Sequence, residues 1–366
     1  MEMKEKAVAI LLVATVILSL YSAVGLVYST STILEQVNGI IEQVQEIRGL
    51  SFKEKPEIVI ISRAEAERLF GPSSQNPEEI KIEELTYKMT LLIPANYSFI
   101  QAKEEQSAGW MALTVGNTIY IIGENFESNP AMARRALAHE LTHVLQKQWF
   151  DAKYSENTFD GTLAIRALVE GDADLVADIY CERNRIPIYK IRSLSGEPLT
   201  DLGIFPYVFG DRFVRYLYDK GGWKLVNNAY RHYPVSTAQI MHPKLYLENV
   251  TPVKVSLSFP ANWSVIRDDR MGEFYVYVLL RDVAKLSNET AWNVSSGWLG
   301  DRLVLATNGT DYILLWKVEF SNEKSARVFA ETLRKLAEKN AFAHFTITRE
   351  GKTVLLKAVR GVRVEA

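Results

Sequence analysis

Between Ala131 and Phe150 the chain reads AMARRALAHELTHVLQKQWF, and no other stretch limits its possible folds as tightly. Ala133, Ala136, Leu137, Leu141, Val144 and Leu145 combine helix propensity with an apolar stripe, Asn129 is placed to cap, and Pro130 suits the first helical position. On such a helix His139 and His143 lie about 40° apart around the axis and one turn along it, so both imidazoles leave from one face. Two rings so placed can hold a metal ion, and Glu140 stands where a base for metal-held water is needed. The competing reading, a pair of satisfied core histidines, is disfavoured by the helical context and by an acidic pattern downstream.

A hydrolytic zinc site is four-coordinate with one position kept for water, so a third protein ligand is required. Glu170 is the candidate, on a second helical stretch, GTLAIRALVEGDADLVADIYC, where Leu163, Ala167, Leu168 and Val176 are apolar. Asp174 follows one turn later and can accept the outer N–H of a ligating histidine, fixing its tautomer. Gly171 removes a side chain beside the ligand and permits close helix approach. Glu170 also stands four residues after Arg166, the spacing of an ordinary surface ion pair, and that reading stays open.

His139-Glu-x-x-His143 followed by Glu170-x-x-x-Asp174 resembles the gluzincin class of zinc metallopeptidases. The wider wording AHELTHVLQKQWFD, then ALVEGDAD, then STAQIMHPKLY at 236–246, is similar to a prokaryotic set of membrane-anchored predicted zinc proteases, over roughly residues 55–250. The resemblance implies His139, His143 and Glu170 as ligands of Zn2+, Glu140 as catalytic base, and Asp174 behind a ligating histidine. The interval from His143 to Glu170 is longer than in the best-known gluzincins. The class commonly sets a downstream histidine or tyrosine beside the metal to stabilise an oxyanion, which makes His242 a second catalytic candidate, ahead of His232 and Tyr246. A histidine in the last turn of a helix is favoured by the helix dipole whatever its function, so His242 has two open readings. In such families an edge strand ahead of the metal helix binds substrate backbone, and residues 111–123 supply strand material there, with an ordinary core strand as the equal alternative.

The rest of the chain bounds the setting. With 366 residues, 48% hydrophobic content and a net charge of −2, it can bury a large core, and it lacks the basic patch of a nucleic-acid binder. The single cysteine, Cys181, excludes an internal disulfide and suits a packed hydrophobe. Ala7 to Tyr28 carries no charge and follows Lys4 and Lys6, the pattern of an uncleaved transmembrane helix with a cytoplasmic N-terminus. Sequons at Asn96, Asn249, Asn262, Asn288, Asn293 and Asn308 suit a glycosylated extracytoplasmic body. Ile33, Val37, Ile40, Val44 and Ile47 recur four and three apart, which predicts a stalk helix too short to specify an oligomeric state. After Pro252 the texture turns to strand-like runs (253–259, 274–280, 302–307, 312–320), an amphipathic helix at 323–340 and a hairpin at 345–359.

The expectation is an α+β chain in four parts: an anchor (1–32), a stalk (33–54), a mainly helical zincin-like domain with a small substrate-side sheet (55–250), and a smaller α+β domain (251–366). It would hydrolyse peptide bonds in a protein or peptide substrate at the cell membrane, using zinc and no nucleic acid. Two rivals are a non-catalytic surface binding protein on a peptidase scaffold and a quality-control membrane metallopeptidase.

Overall fold

The computed structural model describes residues 37–70, 76–99, 112–259 and 262–361, in a mixed α and β arrangement with two sheets. A helix over residues 37–48 (α1) precedes β1 (Glu57–Ile61), α2 (Arg63–Phe70), α3 (Pro77–Met89), β2 (Ala112–Val115), β3 (Thr118–Ile122) and α4 (Gly123–Ser128). Then come the long α5 (Pro130–Phe150), α6 (Phe159–Arg183) and α7 (Pro198–Ala229), followed by the short α8 (Thr237–Met241) and α9 (Pro243–Leu247). The C-terminal part holds β4 (Ser264–Asp269), α10 (Gly272–Val278, continued by a π-turn at Leu279–Val283), α11 (Asn288–Ser295), β5 (Trp298–Thr307), β6 (Asp311–Phe320), α12 (Glu323–Ala337), β7 (His344–Glu350) and β8 (Thr353–Gly361).

Local chemistry fixes the two helices that matter most. Asn129 accepts from the Met132 N–H at 3.1 Å with Pro130 next, and α5 ends where Asp151 takes the left-handed conformation at φ 47°. Thr158 caps α6 by accepting from the Gly161 N–H at 3.0 Å. At the α6–α7 crossing a Cβ on Gly171 would lie 2.2 Å from the Gly210 carbonyl oxygen, and one on Gly210 would lie 2.2 Å from that of Ala167. Only glycine fits at either position, so the two helices meet backbone to backbone.

The helix expected to stand off as a stalk is instead part of the core. Val37, Ile40, Val44 and Ile47 are all buried and join Leu137, Leu141, Val144, Leu145, Val176, Tyr180 and Cys181 in one cluster behind α5 and α6. Each such aliphatic side chain contributes about 1.5–3 kcal/mol on burial, far more than a solvated spacer would gain.

The small sheet has the order β1-β3-β2, β1 parallel to β3 and β2 antiparallel to it, so among the described residues β2 is an edge strand. The second sheet, β4-β5-β6-β8-β7, is antiparallel throughout, with α12 on one face and Leu257, Phe259 and Trp263 against the other. Its core is continuous with that of the helical part: Phe274 packs against Phe205 with ring centroids 4.3 Å apart and planes tilted by 38°, and Tyr275 lies beside Tyr87.

Two local expectations change. Residues 274–280 carry strand-forming side chains but form helix and π-turn, because Phe274, Tyr275, Val276, Tyr277, Val278, Leu279 and Leu280 are buried on every side. Within α7 the Gly221–Gly222 pair has non-helical dihedrals, Gly222 taking φ 57°, and separates two helical stretches. Residues 253–259 form no strand and lie as an extended cover over the sheet.

The expectation of a single-pass membrane protein is corrected as well. No helix among the described residues is long and apolar enough to cross a membrane, and the segment 7–28, on which that expectation rested, lies outside them.

Because α1 is core, Ile40→Ala is expected to destabilise the full chain by about 2–4 kcal/mol in denaturant titration; an unchanged midpoint would restore the stalk.

Candidate metal centre

Helices α5 and α6 bring three donors together: ligand atoms of His139, His143 and Glu170 all lie within 4.8 Å of one another, a group that could hold a metal ion. Glu170 Oε2 lies 3.1 Å from His139 Nε2 and 3.5 Å from His143 Nε2. The surface ion pair with Arg166 does not form: the Arg166 guanidinium donates to the Tyr154 carbonyl at 3.0 Å, and Glu170 turns to the rings.

The outer nitrogen of each ring is also held. Asp174 Oδ1 sits 3.2 Å from His139 Nδ1 and is itself bound by Arg135 Nη2 at 2.7 Å. Arg135 also pairs with Asp178 at 3.0 Å, so Asp174 belongs to a buried charge network. His143 Nδ1 lies 2.8 Å from Gln146 Oε1. An acceptor at each Nδ1 makes that nitrogen the N–H and leaves each Nε2 lone pair free to ligate. The donor set, two imidazole nitrogens and a carboxylate oxygen with supported outer atoms, fits a zinc-type site.

Charge at the site agrees. Burial works against a charged His139, yet its hydrogen bonds to the Asp174 and Glu170 carboxylates prevail and raise its pKa to about 10. His143 is raised too, burial opposing and the Glu170 charge prevailing. Burial pushes Glu170 up, but the two rings outweigh it and hold the carboxylate well below its usual range. Asp174 behaves alike, with His139 and Arg135 overcoming its burial. The cluster therefore favours positive charge between its donors.

These residues open into a cleft of about 320 Å³ lined by Ala112, Leu113 and Thr114 of β2, by Glu140, and by Phe70, Tyr154 and Tyr207. Glu140 is half-buried and its Oε2 accepts from the Thr114 hydroxyl at 2.7 Å, which ties the carboxylate to the edge strand. Tyr207 stacks on His139 with centroids 6.4 Å apart, and Tyr154 meets His143 at 6.2 Å. The Glu170 charge above all, with burial, raises the Tyr207 hydroxyl; burial above all raises Tyr154. Both stay protonated donors. A larger groove of about 1400 Å³ lies between α3 and β8 at Lys81, Lys88, Phe342 and Arg360, and it contains no such ligand group among the described residues.

His242 is corrected. It does not line the cleft: its Nε2 lies 2.8 Å from Glu273 of α10 and its ring lies against Trp292, so it ties α8 and α9 to the C-terminal part. Burial lowers its pKa less than Glu273 raises it, and the net direction is up. Sequence reasoning missed Gln146, Tyr154, Tyr207 and Thr114. Gln146 was within reach, three residues beyond His143 on the same helical face; the others come from loops and elements that only the fold brings in.

Two family models match parts of the chain: a domain of unknown function (DUF8575) over residues 263–365, and the eCIS core domain over residues 100–149. The second covers the helix carrying His139 and His143 and points weakly to a metallopeptidase-like domain. No curated protein and no solved structure matches.

Elemental analysis of the full chain is expected to find about one divalent ion per molecule. Glu170→Ala should lose it while His242→Ala keeps it; the reverse pattern would transfer the site to His242.

Proposed function

We propose that the chain is a zinc-dependent metallopeptidase of the gluzincin type. The observation that carries this reading is the convergence of His139, His143 and Glu170 with Glu140 beside them in an open cleft. Zinc held there would supply a Lewis acid that polarises the scissile carbonyl and acidifies water. The remaining work falls to the protein's own side chains.

Glu140 takes the proton from the attacking water, then passes it to the departing amine. The Thr114 hydroxyl keeps its carboxylate in place, since a base swinging free of the cleft would lose the geometry the transfer needs. Tyr154 and Tyr207, held as protonated phenols, stand in for His242 as donors to the developing oxyanion. The edge strand β2 offers backbone groups to an extended substrate, and its Ala112–Thr114 segment already lines the cleft. A peptide laid along that edge would bring its carbonyl past Glu140.

Glu140→Gln is expected to keep its zinc and to lose about 10²–10⁴-fold in turnover of an unstructured protein substrate. Retained turnover would refute the base assignment. Tyr154→Phe and Tyr207→Phe, compared separately, should identify the oxyanion donor as the one whose loss falls on kcat more than on KM.

A further inference from the structure

Arg48, at the end of α1, is fully buried with Asp172 of α6, 124 residues away in sequence. Its Nε donates to Asp172 Oδ1 at 2.9 Å and its Nη2 to Oδ2 at 3.2 Å. The guanidinium lies 4.4 Å from the Trp223 ring centroid and 5.7 Å from that of Phe150, and its Nη1 has no hydrogen-bond partner among the described residues. A buried cation with an unused donor is a costly way to fill a core, and well-packed apolar side chains in place of a buried ion pair are often as stable or more so. Stability alone therefore does not account for Arg48.

Asp172 connects Arg48 to the metal centre. Its Oδ2 also accepts from the Tyr230 hydroxyl at 2.7 Å and from Gln146 Nε2 at 3.1 Å. Gln146 Nε2 donates as well to the Val169 carbonyl at 2.9 Å, so both protons of that amide are engaged. Its oxygen must then face His143 Nδ1, 2.8 Å away. We propose that Arg48 is a positioning residue for the metal ligand His143, acting through Asp172 and Gln146.

The chemistry of each link requires the next. If Gln146 turned over, its NH2 would face His143 Nδ1 and favour the tautomer with the proton on Nε2, which cannot ligate. Asp172 prevents this by holding the amide nitrogen on its own side. Asp172 in turn is held in place within the buried site by Arg48, which grips both of its oxygens in bidentate geometry. His139 has the equivalent support in Asp174 and Arg135. Each ligating ring is thereby backed by a carboxylate and an arginine, directly for His139 and through an amide for His143.

This inference rests on the metal-site reading above, and zinc affinity of the full chain, measured by chelator competition, separates the two. Wild-type protein that takes up no zinc contradicts the metal site itself. With wild type binding, Arg48→Met and Gln146→Leu should each weaken affinity about 10–100-fold and change the visible spectrum of the Co2+-substituted protein. The double variant should lose little more than Gln146→Leu alone, since the two act in series. Ile40→Ala, which loosens the same helix without touching these bonds, should lose stability and keep wild-type affinity. Wild-type affinity in Arg48→Met, or full additivity in the double variant, would overturn the proposal. Should Arg48→Met fail to fold, Arg48→Lys decides: it keeps the charge but not the two-point grip, and a smaller loss in the same direction is expected, wild-type affinity again being the contrary result.

Discussion

Three electron-rich side chains, His139, His143 and Glu170, are packed toward one point at the interface of two helices, and the structure around them is arranged to make that tolerable. Buried donors that face each other are unfavourable unless positive charge sits between them, and the raised histidines and depressed Glu170 express that demand. The glycine contact between α6 and α7 answers a steric requirement of the same kind. A side chain at Gly171 or Gly210 would separate the helices and shift Glu170, its immediate neighbour.

Around this centre the chain divides its work. The back of α5 and α6 is covered by α1 and the small sheet, whose aliphatic residues form a cluster distinct from the larger core shared by α7, α10 and the C-terminal sheet. The open side is left to β2, Glu140 and two tyrosines. A rigid rear and a strand-edged front suit a site that must hold its ligands fixed while admitting an extended chain.

Much of the centre was legible in the sequence because it is local. His139, Glu140 and His143 share one helix, Glu170 and Asp174 share another, and helical spacing alone predicts which of them face together. What the sequence could not convey was long-range. Arg48 and Asp172 meet across 124 residues, and nothing in the spacing of either suggests the other. His242 leaves the cleft because the end of α8 faces Glu273 in the C-terminal part, a partner invisible from its own neighbourhood. The 274–280 run was misread for a related reason: β-branched and aromatic side chains favour strands at a half-buried surface, but complete burial lets a helix satisfy the backbone instead. The α1 periodicity was read correctly as helical, while its partner, the rear of the metal helices, could only come from the fold.

X-ray absorption at the zinc edge of the metal-loaded protein reads the shell that His139, His143 and Glu170 would form. A gluzincin-type centre should show a four-coordinate shell of two imidazole nitrogens and light oxygen donors at about 2.0–2.2 Å, with one oxygen exchangeable for an added inhibitor. A shell without histidine scattering, or one closed entirely by protein ligands and indifferent to inhibitor, would contradict it.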